Sequence, residues 1–319
     1  MKLLLLRKVV TRSLIAVPIL LVVTLFTYVM MFQVGDPASA IAGDTATPEQ
    51  IAAIRADLGL DRPVLTQYFS WLGNALQGDL GASLHQKGTT TSLLADYLPP
   101  TVLLVGSAMS ISVLCSVIMG LVIGLRPDGW LDRVFRAIAM VGMAVPNFLL
   151  GLILVLVFSV WLKIFPAAGY RMLGDGVGQA VQYLALPVLA LSLALICQQV
   201  RTFRASLLKE YEADYVRTAR MKNLSEPAIF FKHVVRNAAA PLITVIGIEM
   251  GALVTGAILV EAVFAIQGVG TLTISSINSQ DFAIVQALVA ITALVVIAAN
   301  LIADVISTWL NPVGEAQNA

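Results

Sequence analysis

Six long apolar runs alternate along the chain with segments that hold most of its charged residues. Each run is close to the roughly 20 residues that a helix needs to cross the hydrocarbon core of a bilayer. The runs lie at 13–32, 102–125, 137–162, 181–200, 238–260 and 283–310. They lack the apolar–polar alternation of membrane-barrel strands. Helices are therefore predicted, because lipid cannot satisfy an open backbone.

The first run admits a second interpretation. Four basic residues precede it, as in a secretory signal peptide, and Ala38-Ser39-Ala40 resembles a cleavage site. The apolar stretch is longer than the 7–15 residues of a signal-peptide core. We therefore favour an uncleaved first membrane helix.

The composition agrees with a polytopic membrane protein. Hydrophobic residues make up 58% of the 319 positions and charged residues only 12%, whereas soluble domains carry about 25% charged residues. An ordinary soluble enzyme, a disordered chain and a collagen-like chain are excluded. The net charge of +1 indicates no nucleic-acid partner. Cys115 and Cys197 lie in apolar runs, which argues against a disulfide framework or a thiolate metal site.

The distribution of basic residues orients the predicted bundle. With a cytoplasmic N-terminus and alternating spans, fifteen of the 20 Lys and Arg residues are cytoplasmic and five are external. Cytoplasmic loops carry such an excess, and an even number of spans returns the C-terminus to the cytoplasm. The predicted parts are the N-terminus with the first span (1–32), an external helical subdomain (33–101), and a five-helix core (102–319) with a cytoplasmic loop at 201–236.

The external segment contains signals for two helices. Thr47-Pro48-Glu49-Gln50 has the pattern of a helix start, and Gly59 is a stop signal. A second, amphipathic helix is predicted to end near Gly78, because apolar residues recur before it at helical spacing. These residues are Leu65, Tyr68, Phe69, Leu72 and Leu76. We expect this stripe to pack on the membrane bundle; a docking face for a soluble partner is the alternative.

The loop at 201–236 holds eight of the fifteen cytoplasmic basic residues. Helical spacing predicts one helix that ends near Asn223, since Asn tolerates the left-handed conformation that follows many helices. The spaced residues are Leu207, Leu208, Tyr211, Tyr215 and Ala219. Ser225 is the predicted N-cap of a following helix, with Glu226 and Pro227 in its first turn. A loop that merely fixes topology is the alternative, but its length and two helix-end signals favour docking of a partner.

Three polar residues lie inside predicted spans. Glu249 is near the middle of the fifth span, where a charge costs at least roughly 2.5–3.5 kcal/mol. We expect it to face the bundle interior or the pathway, or to be protonated. Its partner is either a substrate ammonium or a group on another helix. Asn300 and Asp304 share one helix face, and we interpret them as helix-packing groups rather than a substrate site.

Two pairs of glycines are spaced for close helix approach. Gly120 and Gly124 form one pair and Gly247 and Gly251 the other. This spacing lets helix backbones approach each other in membranes. The pairs are expected to pack within the bundle or against another subunit.

Motifs for catalysis are absent from the sequence. A P-loop requires Gly-Lys, and no lysine of this chain follows a glycine. G-x-S-x-G and H-E-x-x-H are also absent. We predict no catalytic residue and no metal ligand, so energy for transport has to come from a partner or an ion gradient.

The loop at 201–236 resembles the cytoplasmic EAA loop of ABC importer permeases, in the form found in the dipeptide/oligopeptide (peptide/nickel) family. The match runs from Asp214 to Ser225 as DYVRTARMKNLS and continues with His233, Asn237 and Pro241. Asn223 departs from the family, which has Gly there; we expect the turn to survive, because Asn tolerates left-handed backbone. Further matches keep the family's order along nearly the whole chain. They include Gly35-Asp36-Pro37, Leu58-Gly59-Leu60-Asp61-Arg62-Pro63, Gly78-Asp79-Leu80-Gly81, Trp130-Leu131-Asp132, Val260-Glu261-Ala262-Val263-Phe264, Gly268-Val269-Gly270, Asn300 and Asp304.

The resemblance implies an all-α, six-span permease of the type I importer architecture, the first (B-type) permease of its system, in the bacterial inner membrane. Such a subunit lies in lipid, binds no cofactor and pairs with a homologous second permease. Two ATPase subunits use ATP and Mg, and an extracytoplasmic binding protein delivers di- or oligopeptides. Residues 213–224 match the coupling helix that sits in an ATPase groove. The implied coupling residues are Asp214, Tyr215, Arg217, Thr218, Ala219, Arg220, Lys222, Asn223, Leu224 and Ser225.

Other functions remain open at the level of sequence. The same architecture imports nickel or other metal chelates, or glutathione. An ion-coupled secondary transporter that uses Glu249 and Asp304 belongs to a different class. A membrane scaffold without a transport role is a third.

Overall fold

The computed structural model describes residues 2–43, 46–83, 85, 88–172, 174 and 176–310. Within these ranges the fold is helical, and the extended pairing is limited to a single bridge between Ala82 and Thr89. Lys87, one of the five basic residues predicted to be external, lies outside the described residues. Residues 311–319, which belong to the predicted cytoplasmic C-terminus, also lie outside them.

The described helices are numbered α1 to α13 in chain order. They are α1 (Lys2–Val34), α2 (Pro37–Ala42), α3 (Pro48–Asp57), α4 (Val64–Ala75), α5 (Thr90–Leu125), α6 (Trp130–Ala144), α7 (Asn147–Leu154), α8 (Val177–Tyr211), α9 (Asp214–Met221), α10 (Glu226–Ile229), α11 (Val235–Phe264), α12 (Val269–Asn278) and α13 (Phe282–Leu310). Two π-helical turns join this series. Val155–Trp161 continues α7, and Phe230–Val234 connects α10 to α11.

Five helices in the described part of the chain are long and apolar enough to cross a membrane, which confirms five of the six predicted spans. The third run is not the single straight helix that its apolar length predicts. α6 ends at Ala144, and the chain bends by 106° before it continues in α7. Pro146 explains the bend, because proline lacks an N–H and disfavours helical backbone at the residue before it. Val145 is accordingly extended, with φ −91° and ψ 124°.

α8 lies at the centre of the bundle and packs against α5, α6, α7 and α11. Its Leu186 and Leu191 are buried in one cluster with Leu104 of α5 and Phe264 of α11. Such side-chain packing is a main source of helix association in lipid. α1 lies at the edge of the bundle, where it packs mainly against α13.

The spaced glycines lie at helix contacts within this chain. A Cβ on Gly120 would overlap Phe203 of α8. A Cβ on Gly247 would lie 2.5 Å from the Cβ of Ala303 on α13. The expectation that these pairs permit close packing within the bundle is thus confirmed.

Glu261, at the end of α11, anchors the start of α12. Its carboxylate is fully buried and accepts a hydrogen bond from Thr101 Oγ1 at 2.6 Å. It also accepts from the backbone N–H groups of Gly270 at 2.7 Å and Thr271 at 3.3 Å. The first N–H groups of a helix lack partners within the helix, so this carboxylate joins α11, α5 and α12.

α3, the first helix predicted in the external segment, begins as predicted. Gln50 N donates to Thr47 Oγ1 at 3.4 Å, and Thr47 N donates to Gln50 Oε1 at 2.9 Å. This reciprocal pair is a capping box. Gly59 has a φ of +66° and lies in the turn that follows α3.

α4 packs differently from the prediction. Of the predicted stripe of five residues, only Tyr68 is buried. Its hydroxyl lies 2.9 Å from Thr24 Oγ1 in α1. Leu65, Phe69 and Leu76 remain exposed, so most of the stripe does not pack on this chain.

Candidate functional site

The loop between α8 and α11 carries most of the predicted site residues. The regular spacing from Leu207 to Ala219 predicts one helix, and this prediction is wrong. α8 ends at Tyr211, and Ala213 is extended, with φ −67° and ψ 149°. The break redirects the chain so that α9 folds back onto the apolar cluster at the end of α8.

The inner face of α9 is buried. Val216 and Ala219 share one cluster with Leu207 of α8 and with Ile229 and Phe230 of the following helical turns. The break at Ala213 is required for this packing, because a straight continuation of α8 would carry Val216 away from Phe230. α9 is therefore held against the end of α8 and the start of α11.

The turn after α9 forms around Asn223, as predicted. Asn223 has a φ of +59°. Its N–H donates to Arg220 O at 2.9 Å, and Leu224 N–H donates to Ala219 O at 3.3 Å. These two bonds are those of a Schellman motif. Ser225 occupies the predicted N-cap position with extended backbone, although its side chain makes no capping hydrogen bond.

Three side chains tie the turn to both flanking helices. Arg220 donates to Glu226 through Nε at 2.7 Å and Nη2 at 3.2 Å. Tyr211 donates to the same carboxylate at 2.6 Å. The guanidinium also lies 5.1 Å from the centre of the Tyr211 ring, in cation–π range. α8, α9 and α10 thus meet at one polar cluster.

Tyr215 supports α9 from the side of α8. Its hydroxyl donates to Glu210 Oε2 at 2.7 Å. Burial raises the pKa of Tyr215 to about 12, and this hydrogen bond to a carboxylate acts in the same direction. The phenol is therefore a hydrogen-bond donor at neutral pH.

The outer face of the loop is open. Of the ten predicted coupling residues, Ala219 is buried and Tyr215 is half-buried. The other eight are exposed: Asp214, Arg217, Thr218, Arg220, Lys222, Asn223, Leu224 and Ser225. Sequence reasoning missed Met221, which is 80% exposed on this face. It also missed the tie to Glu226 and Tyr211, which no regular spacing indicates.

Glu249 lies in a polar cluster inside the bundle. Gln199 of α8 donates to Glu249 Oε2 at 2.6 Å and to Ser112 Oγ of α5 at 3.2 Å. Ser116 of α5 donates to Gln199 Oε1 at 2.9 Å. The structure thus places Glu249 towards the bundle interior, with a partner on another helix. Gln199 was missed, although a polar residue in a neighbouring apolar run signals such a partner.

Asn300 and Asp304 make separate contacts on α13. Asp304 Oδ2 lies 2.9 Å from Nε of Arg12 in α1, an ion pair that sequence reasoning missed. Asn300 donates to Val296 O of its own helix at 2.9 Å. Glu249 and Asp304 therefore lie on different helices, each with its own partner.

The comparisons with known proteins agree with this architecture. A family model described as "Binding-protein-dependent transport system inner membrane component" matches residues 116–313, more than half of the chain. The chain belongs to this family. A second model, described as the N-terminal part of such membrane components, matches residues 5–105. The chain is thus a multi-pass permease of the ABC importer family, and the resemblance drawn from its sequence is confirmed.

Relatives match the chain along nearly its whole length. A protein of Brucella abortus (strain 2308), described by its name as a peptide transport system permease, is 35% identical over 93% of this chain and 95% of its own. A protein of Sinorhizobium fredii, named as a peptide ABC transporter permease, is 33% identical over 95% of this chain and 97% of its own. The oligopeptide transport system permease protein AppB of Bacillus subtilis is 33% identical over 95% of this chain and 98% of its own.

Proposed function

We propose that this protein is the membrane-spanning permease subunit of an ATP-driven importer of di- or oligopeptides. Membership of the binding-protein-dependent family supports the transporter class. The substrate class is supported by relatives that are named as peptide permeases and match nearly the full chain. The metal-chelate and glutathione alternatives have no comparable support from these relatives.

The subunit works within a larger assembly in the bacterial inner membrane. It pairs with a homologous second permease and receives substrate from an extracytoplasmic binding protein. Two ATPase subunits hydrolyse ATP with Mg on the cytoplasmic side. The permease itself is non-catalytic and binds no cofactor, which agrees with a sequence that lacks the Gly-Lys of a P-loop.

α9 is the coupling helix in this proposal. The assignment rests on the difference between its two faces. One face is open, with Arg217, Met221 and Lys222 exposed. The opposite face is fixed by the burial of Val216 and Ala219. An exposed face on a fixed helix suits a docking surface for an ATPase, because the partner's motion then moves the helix instead of deforming a loose loop.

Movement of the bound ATPases is transmitted to the membrane-spanning bundle through α8 and α11, the two long helices that α9 contacts. Val216 and Ala219 of α9 belong to one buried cluster. The same cluster contains Phe203 and Leu207 near the end of α8, and Phe230 near the start of α11. The ion pair of Arg220 and Glu226 reinforces the second connection. A shift of α9 is therefore passed to both long helices. Their movement rocks the bundle between inward- and outward-facing states, and substrate crosses at the interface with the second permease.

In this proposal the polar residues within the spans hold the helices of the bundle together. Glu249 is hydrogen-bonded to Gln199, and Asp304 is ion-paired with Arg12. Asn300 lies beside the contact of Gly247 with α13. The alternative of a secondary transporter needs Glu249 and Asp304 as ion sites, and these separate partnerships disfavour it.

The assignment is tested by substitutions on the open face of α9 in the complete transporter. Arg217→Glu is expected to reduce both transport and substrate-stimulated ATPase activity, because it reverses a charge on the docking face without touching the core. Arg126→Glu is the matched control, since Arg126 is an exposed arginine in the loop between α5 and α6. Met221→Cys should form a cross-link to an ATPase subunit. Unchanged coupling in Arg217→Glu together with no cross-link at Met221→Cys would contradict the coupling role.

A further inference from the structure

α4 has three distinct faces. Residues of a helix follow one another at about 100°, which separates its side chains into three stripes roughly 120° apart. The first stripe packs on α1 and includes Gln67 and Tyr68, both of which are buried. The other two stripes are largely exposed but differ in chemistry. One is apolar and consists of Leu65, Phe69, the half-buried Leu72 and, at the C-cap, Leu76. The other is polar and consists of Thr66, Ser70 and Asn74, followed by Gln77 just after the helix.

The apolar stripe is unusual for a surface in water. Leu65 is 56% exposed, Phe69 61% and Leu76 83%. Contiguous exposed apolar patches mark sites that contact another protein or a membrane. No Asp, Glu, Lys, Arg or His occurs between Arg62 and Asp79, so the whole helix is free of charge.

The contact with α1 sets the depth of α4. The Tyr68 hydroxyl lies 2.9 Å from Thr24 Oγ1 and donates to Leu21 O at 3.2 Å. Thr24 lies ten residues before the end of α1 at Val34, which is about 15 Å along a helix. The apolar run of α1 continues to Phe32, and the next residue that is charged at neutral pH is Asp36. Tyr68 therefore reaches α1 at a level where α1 itself faces lipid.

We propose that α4 lies in one leaflet of the membrane, with its apolar stripe in contact with lipid acyl chains and its polar stripe turned to water. In the predicted orientation this is the outer leaflet. The faces fit this position, because an interfacial helix buries its apolar side about 5–10 Å into the boundary of headgroups and acyl chains. Tyr28, Tyr68 and Trp71 agree with it, since Tyr and Trp concentrate at membrane interfaces.

α3 provides a contrast within the same segment. It carries Glu49, Arg55 and Asp57 and buries none of its residues. A charged helix of this kind belongs in water. α3 and α4 thus differ in environment, and of these two helices only α4 is assigned to lipid. This inference concerns the placement of the chain in the membrane and does not depend on the transported substrate.

The test places an environment-sensitive fluorophore on single cysteines of the full transporter, reconstituted in lipid. The background variants Cys115→Ala and Cys197→Ala remove the native cysteines. Leu65→Cys and Leu76→Cys report on the apolar stripe. Ser70→Cys is the matched control on the polar stripe of the same helix, and Ala53→Cys is the control on α3; both positions are exposed. The quenchers are nitroxide-labelled lipid in the bilayer and iodide in the water.

We expect nitroxide lipid to quench labels at 65 and 76 at least about twice as strongly as the label at 70, as the depth of an interfacial helix implies. Iodide should show the reverse order, with the label at 53 quenched most. Equal iodide quenching at 65, 70 and 76 would place the stripe in water and overturn the proposal. Protection of 65 and 76 from both quenchers would show that another protein covers the stripe, which would also overturn it.

Discussion

Arg220 and Glu226 form an ion pair across the turn between α9 and α10, with Nε and Oε1 2.7 Å apart. Their side chains are 42% and 54% exposed. Exposed pairs of this kind contribute little to folding. The pair nevertheless joins the exposed face of the proposed coupling helix to the helical segment that leads into α11. Its effect on coupling can therefore be separated from an effect on stability.

Reversal of one charge should weaken coupling, and reversal of both should restore it. Arg220→Glu or Glu226→Arg alone places like charges together across the turn. We expect substrate-stimulated ATPase activity to fall by roughly threefold or more, which corresponds to about 0.65 kcal/mol of lost coupling free energy. Thermal unfolding should change little, because exposed ion pairs contribute little to stability. The double variant should recover most of the activity. If it is as impaired as either single variant, the side chains act separately, for instance through direct contacts with the ATPase.

Glu249 should act through its hydrogen bond rather than its charge. Glu249→Gln keeps an acceptor for Gln199 Nε2, so transport and unfolding temperature should change little. Gln199→Leu leaves the buried carboxyl without that donor, a loss of about 1–3 kcal/mol for a buried polar group. Thermal unfolding in detergent and peptide uptake in liposomes measure the two effects. A large loss of uptake in Glu249→Gln, at an unchanged unfolding temperature, would instead assign Glu249 to substrate recognition.

Local signals in the sequence predicted helix ends and most spans well. The capping box at Thr47 and the left-handed turn at Asn223 depend on residues close in the chain, so their geometry is encoded locally. Apolar length identified five continuous spans. Pro146 was also a local signal for the bend. Hydropathy, however, is averaged over many residues, so one proline did not interrupt the apolar run that joins α6 and α7.

Long-range partners could not be predicted in the same way. The donor to Glu249 is 50 positions away in the chain, and Arg12 and Asp304 come from opposite ends of it. Their pairing depends on which helices become neighbours, and hydrophobic periodicity does not determine that arrangement. The break at Ala213 has the same origin, because burial of Val216 against Phe230 outweighs the helical spacing that continues from α8.

The turn at Asn223 should respond to backbone preference. Left-handed backbone costs about 1–2 kcal/mol for most residues and almost nothing for glycine. Asn223→Gly should keep or slightly raise the unfolding temperature and preserve coupling. Asn223→Val should lower both, because its branched side chain resists a φ near +59°. Identical behaviour of the two variants in thermal unfolding would show that the Schellman turn does not constrain this loop.

Contact of α5 with α8 at Gly120 should be more sensitive to an added methyl group than any open position on α5. A Cβ at Gly120 would overlap the ring of Phe203, which is buried. Such overpacking typically costs about 1–3 kcal/mol.

Gly106 is the matched control, because it lies on the same helix and nothing lies within 4 Å of its Cβ position. Replacing an unconstrained helical glycine by alanine stabilises a helix by roughly 0.5–1 kcal/mol. Gly106→Ala should therefore unfold at the same or a higher temperature than the parent protein, and Gly120→Ala at a lower one. Equal unfolding temperatures for the two variants would mean that α5 and α8 separate easily at this point, contrary to the close packing seen in the bundle.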